Sequence, residues 1–80
     1  MILYFVYVLK SISTGRLYKG FCTNLELRLH EHNSGKTVST KPFIPWKIVY
    51  FEEFTSRNEA LLIEKYFKTV AGRKYLKTHF

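Results

Sequence analysis

Five polar side chains stand out from the apolar pattern around them: Tyr7, Tyr18, Arg28, His32 and Glu64. Arg28 and His32 are four residues apart, so on a helix they share a face. Glu64 lies in a stretch of helical period. At about 100° per residue it falls some 40° from Ala60, inside the arc of Ala60, Leu61, Ile63, Tyr66 and Phe67. A carboxylate on such an arc is costly unless it is paired or bound to a metal. As a set, these groups suit a one-metal phosphodiesterase, with phenols near a water, a guanidinium on phosphate and a carboxylate on Mg²⁺. Each also has a plainer reading. The tyrosines are ordinary core or rim residues. Arg28 and His32 edge a buried stripe with solvated tips. Glu64 sits at the margin of its arc and pairs with Lys65 or Lys68.

Other chemistries find less support. Cys22 has no orienting partner evident for a thiol nucleophile. The three histidines and one cysteine show no zinc spacing, and there is no glycine-rich phosphate loop. The chain contains no aspartate, so any carboxylate metal ligand must come from six glutamates, and no two of these form the acidic cluster of a two-metal site. Thirteen lysines and arginines face those six acids, a net +7 that marks a polyanion binder. After Glu64 come Lys65, Lys68, Arg73, Lys74 and Lys77 and no acid.

The elements that must position these residues follow from composition and period. The 80 residues allow one domain, over 1–80. Ile2–Leu9 is a continuous apolar run suited to a central strand, with Phe5, Tyr7 and Leu9 on one face. Ser11–Gly15 is a turn, and Arg16–Phe21 the returning strand of a hairpin. Thr23 and Glu26 form a capping box that opens a helix over Asn24–Asn33, closed by Ser34–Gly35. Lys36–Pro45 reads as a basic loop, and Trp46–Phe54 as a third strand. Ser56 and Glu59 cap a second helix running from Arg57 to about Thr69. Gly72 sits in a break before a last helical turn at Arg73–Lys77. No run approaches the roughly 20 apolar residues of a membrane span. No signal peptide is convincing, and a reducing cytoplasm is the simplest expectation for a chain with one cysteine.

The same residues carry a family resemblance. Phe5-Val6-Tyr7 and Tyr18-Lys19-Gly20 resemble the paired GIY and YIG elements of the GIY-YIG nuclease superfamily. Thr23 to Leu29, His32 to Gly35, Thr40-Lys41, Pro45-Trp46, Tyr50 to Glu52, Glu59 to Lys65, and Gly72 to Lys77 are similar to the blocks that follow in small stand-alone bacterial members. That branch is related to the N-terminal domain of the excision-repair incision subunit. Phe5 departs from the first glycine of GIY and Lys19 from the isoleucine of YIG, and both tyrosines remain.

The resemblance implies an α/β (α+β) fold: a three-stranded antiparallel sheet flanked by helices, in the order β-β-α-β-α with a final helical turn. It implies a metal-dependent endonuclease acting on nucleic acid, DNA before RNA, with a link to DNA repair. It implies that Tyr7 positions or deprotonates water, that His32 relays the proton, and that Tyr18 binds the scissile phosphate. Arg28 would stabilise transition-state charge, and Glu64 would hold a single Mg²⁺ or Mn²⁺. Lys10, Lys19, Lys36, Lys41 and Lys68 are candidate phosphate contacts. Lys19 should project opposite to Tyr18. A non-catalytic nucleic-acid-binding module is the alternative, for which charge and exposed aromatics would suffice.

Overall fold

The computed structural model describes residues 2–80. Three strands form one antiparallel sheet: β1 (Tyr4–Ser11), β2 (Leu17–Cys22) and β3 (Trp46–Phe54), in the order β2-β1-β3. The expected central strand is therefore β1, and it is covered on both faces. Alternation along it makes two cores. Val6 and Val8 point to one side, where α2 (Arg57–Phe67) and α3 (Val70–His79) supply Ala60, Phe67 and Leu76. Tyr7 and Leu9 point to the other, where α1 (Leu25–Asn33) and Trp46 cover them. All four strand residues are at most 1% exposed, and fully burying such a side chain stabilises the fold by about 1.5–3 kcal/mol.

The first helix starts one residue later than its capping box suggests. Asn24, not Thr23, is the N-cap, and its Oδ1 accepts from the Leu27 amide at 3.1 Å. The other end is closed as expected. Gly35 adopts φ +81°, and the amides of Gly35 and Lys36 donate back to the carbonyls of His32 and Glu31. Within the predicted loop, Lys41–Phe43 forms a short 3₁₀ turn. Ser56 caps α2 as expected, by accepting from the Glu59 amide.

The last helix is the largest departure. Gly72 does not interrupt the chain but lies within α3, whose cap is Thr69 accepting from the Gly72 amide. A Cβ at Gly72 would stand 2.0 Å from the Tyr66 carbonyl oxygen. Glycine is there because α3 turns back tightly against the end of α2.

Candidate active site

Four of the five singled-out residues gather on the α1 face of the sheet. Tyr7 comes from β1, Tyr18 from the adjacent β2, and Arg28 and His32 from successive turns of α1. The Tyr7 ring passes over the backbone of Gly20, where an added Cβ would lie 2.3 Å from its hydroxyl oxygen. The glycine that follows Tyr18-Lys19 thus makes room for the other tyrosine.

The hydrogen bonds of this group run in one direction. Arg28 Nε, which can only donate, meets the Tyr7 hydroxyl oxygen at 3.3 Å. The Tyr7 proton therefore points to its other partner, His32 Nε2, at 3.1 Å. His32 then carries its hydrogen on Nδ1 and donates to Thr40 Oγ1 at 2.9 Å. Thr40 in turn donates to the Thr37 carbonyl, which can only accept, at 3.3 Å. With a donor-only group at one end and an acceptor-only group at the other, the arrangement that satisfies every group places the imidazole hydrogen on Nδ1.

Tyr7, His32 and Thr40 are each at most 1% exposed. Burial pushes the Tyr7 phenol up to about 12, against the smaller opposing effect of Arg28. Burial, and then the Arg28 charge, lower His32 below the usual histidine value, so it is neutral at neutral pH. His32 is thus not a rim residue with a solvated tip. The Tyr7 hydroxyl, expected beside a water, is closed over by Arg28 and His32.

Tyr18 and Arg28 are the open members. The Tyr18 ring stacks at a tilt on His32, with centroids 4.9 Å apart, and its hydroxyl makes no hydrogen bond among the described residues. The Arg28 side chain is 39% exposed and pairs with Glu31 at 3.2 Å. Beside it a shallow hollow is lined by Phe21, Cys22, Asn24 and Leu27. Burial pushes the Cys22 thiol up, which disfavours the thiolate a nucleophile needs.

Glu64 stands apart from the four. It lies on α2, which covers the opposite face of the sheet, and its carboxylate pairs with Lys68 at 3.6 Å. Ala60 and Phe67 are buried and the Glu64 side chain is 20% exposed, so it sits at the margin of the packed arc. On the same flank Arg57 lies over the Phe21 ring of β2. That flank of α2 lies on the β2 side of the sheet, and the contact Glu64 itself makes is with Lys68. Of the candidate phosphate contacts, Lys36 and Lys41 are exposed beyond α1, and Lys68 is exposed beside Glu64. Lys10 and Lys19 are half-buried on the α3 face, so Lys19 does project opposite to Tyr18.

Three supporting residues carried no assigned role in the sequence. Thr40 terminates the line from Tyr7. Trp46 holds Thr40 in place, its indole Nε1 donating to the Thr40 carbonyl at 2.9 Å. Asn33 locks α1 to β3 by accepting from the Trp46 amide at 2.6 Å and donating to its carbonyl at 3.0 Å.

A family profile of the GIY-YIG catalytic domain matches residues 3–77, and the chain belongs to that family. Within it, the chain is similar to UPF0213 proteins. One from Streptococcus agalactiae is 39% identical over 79 residues, covering 94% of this chain and 89% of the relative. One from Bacillus licheniformis is 41% identical over 71 residues, covering 88% and 72%. The solution NMR structure of a UPF0213 protein from Bacillus halodurans has a TM-score of 0.58 at 28% identity, covering 96% of this chain and 84% of that one. The family supports a nuclease that acts on nucleic acid. No helix among the described residues is long and apolar enough to cross a membrane.

Proposed function

We propose that this chain is an endonuclease that hydrolyses phosphodiester bonds, in DNA before RNA, at the β2 edge beside Tyr7, Tyr18, Arg28 and His32. The observation that carries the reading is the bonded line from Arg28 through Tyr7 and His32 to Thr40, its last three members closed off from water and bordered by the Tyr18 hydroxyl and the open Arg28 guanidinium. A phenol with a pKa of about 12 is ionised to only roughly one part in 10⁵ at pH 7, so Tyr7 is no ready-made base. It acts instead as a relay. Tyr7 oxygen takes the proton of the attacking water while its own proton passes to His32 Nε2, and Thr40 Oγ1 holds the Nδ1 hydrogen of the resulting imidazolium.

Arg28 gates that step. Its bond to Tyr7 is long, and an exposed pair such as Arg28–Glu31 contributes little. When the guanidinium turns onto a phosphate, it frees the acceptor lone pair of Tyr7 for water and places its charge on the oxygens that gain charge. The Tyr18 hydroxyl donates to the same phosphate. The leaving oxygen takes a proton from solvent, and His32 returns its own through Tyr7 to the next water that enters, so proton uptake and release balance.

The donor available to a divalent ion is one carboxylate, that of Glu64. Among the described residues no cluster of three or more His, Cys, Asp or Glu could form a cage. Mg²⁺ keeps several waters, however, and needs only one or two carboxylates with substrate phosphate. Glu64 is a hard oxygen donor in partial contact with solvent, held among the described residues by Lys68 alone. In this reading Glu64 holds one Mg²⁺ or Mn²⁺, and the ion, when bound, stabilises the leaving oxygen. Cleavage of a panel of duplex, branched and single-stranded DNA and RNA, with Mg²⁺, Mn²⁺ or a chelator, tests this. Cutting that appears with either ion and stops with the chelator is expected; equal cutting in the chelator would remove the metal from the account.

A further inference from the structure

The face of the sheet opposite Tyr7 holds a cavity of about 360 Å³ between the β1–β2 hairpin and α3. Its rim is cationic, with Lys10 and Lys19 from the strands, Arg16 from the hairpin, and Arg73 and Lys77 from α3. Its floor is apolar, made by Leu17, Leu76 and Phe80, and no carboxylate side chain lines it. Lys10 donates to the Phe80 carbonyl. Arg73 and Lys77 are spaced i, i+4, so α3 presents both along one face.

A solvated basic surface accounts for the exposed Arg16, Arg73 and Lys77. It does not account for Lys19, which is half-buried over an apolar floor. Burial, and then the charges of Arg73 and Lys68, hold the Lys19 ammonium below the usual lysine range. Concentrated like charge in a concave, partly apolar site is what an anion with an apolar part relieves.

We propose that this cavity binds a nucleotide, with its phosphate among Lys19, Arg73 and Lys77 and its base over Leu17, Leu76 and Phe80. A free nucleotide and an unpaired nucleotide of a single strand offer the same chemistry. The second source rests on the nuclease reading, since Lys19 and Tyr18 leave opposite faces of the same strand and a bound chain passing the β2 edge would reach both.

The test is an amide NMR titration of the whole chain at low salt with adenosine monophosphate, inorganic phosphate, adenosine or a short oligothymidylate. Adenosine monophosphate should shift Leu17, Lys19, Leu76 and Phe80 and leave Leu25–Glu31 in place. It should bind at least about tenfold more tightly than phosphate or adenosine alone. The double change Arg73→Ala with Lys77→Ala, both at exposed helix positions, should weaken it about tenfold or more, and Lys19→Met should do so independently. If only the oligothymidylate shifts these amides, the strand is the source and the site stands. Equal binding of phosphate and mononucleotide would overturn the nucleotide assignment. No shift at these amides with any probe would overturn the site. The readout is binding, so the result is independent of whether the protein cuts.

Discussion

Thr40→Val keeps the side-chain shape and removes one oxygen. In the native fold that oxygen accepts the His32 Nδ1 hydrogen at 2.9 Å, in a position with no exposure to water. Valine leaves a buried N–H without a partner, at a cost of about 1–3 kcal/mol. For a chain of this size that lowers Tm by roughly 5–20 °C. The imidazole can escape by moving its hydrogen to Nε2. Tyr7 oxygen would then face two donors, Arg28 Nε and His32 Nε2, and its own proton would lose its acceptor. The relay stops, and the cleavage rate should fall by about 10²-fold or more. Thermal melts, the ¹⁵N shifts of the His32 ring and single-turnover cleavage read the three consequences separately. A variant whose Tm moves by less than about 2 °C, a shift typical of silent surface changes, and whose tautomer is unchanged would refute the assigned direction of the line.

Three further outcomes are expected. Gly20→Ala forces a methyl to 2.3 Å from the Tyr7 hydroxyl oxygen, so it should destabilise the fold by about 1–3 kcal/mol or more and lower activity with it, as read by urea unfolding. Tyr18→Phe should cut cleavage by about 10²–10³-fold, and its unfolding midpoint should stay near native because the hydroxyl bonds no protein group among the described residues. His32 binds its proton less readily folded than unfolded, so its contribution is full above the unfolded value near 6.5 and is lost as pH falls from there towards the folded pKa. The unfolding midpoint should therefore decline below about pH 6.5, and more steeply in native protein than in His32→Gln.

Much of the fold was legible because its signals are local. The β3 strand runs from Trp46 to Phe54 as its composition dictates, and Ser56 caps α2. The slip from Thr23 to Asn24 is a choice between adjacent residues that can both cap, decided by which side chain reaches Leu27. Helix α3 was obscured because glycine in a sequence signals flexibility, and at Gly72 it serves a close approach to Tyr66 that only the folded chain reveals. In the candidate site, strand alternation put Tyr7 on one face of β1 and the i, i+4 spacing put Arg28 and His32 on one face of a helix, and the family resemblance joined the two faces into one site. The burial of His32 was not legible, because it depends on Thr40, which is held by Trp46, which is held by Asn33. Glu64 drew attention through its angle on α2. Its contact with Lys68 matches the plainer reading of that angle, and its place at the β2 flank leaves the metal role to experiment.

The proposed enzyme cuts nucleic acid at this edge with a metal held by Glu64. The most direct test is a matched measurement of cleavage and binding on the same labelled DNA substrates, in Mg²⁺, for native protein and Glu64→Ala. Native protein should cut, and the variant should lose more than about 10²–10³-fold in rate while binding nearly as well, since phosphate is held by lysines and arginines. Equal cutting by the variant would contradict the role of Glu64. Native protein that binds every substrate and cuts none would contradict the nuclease reading itself.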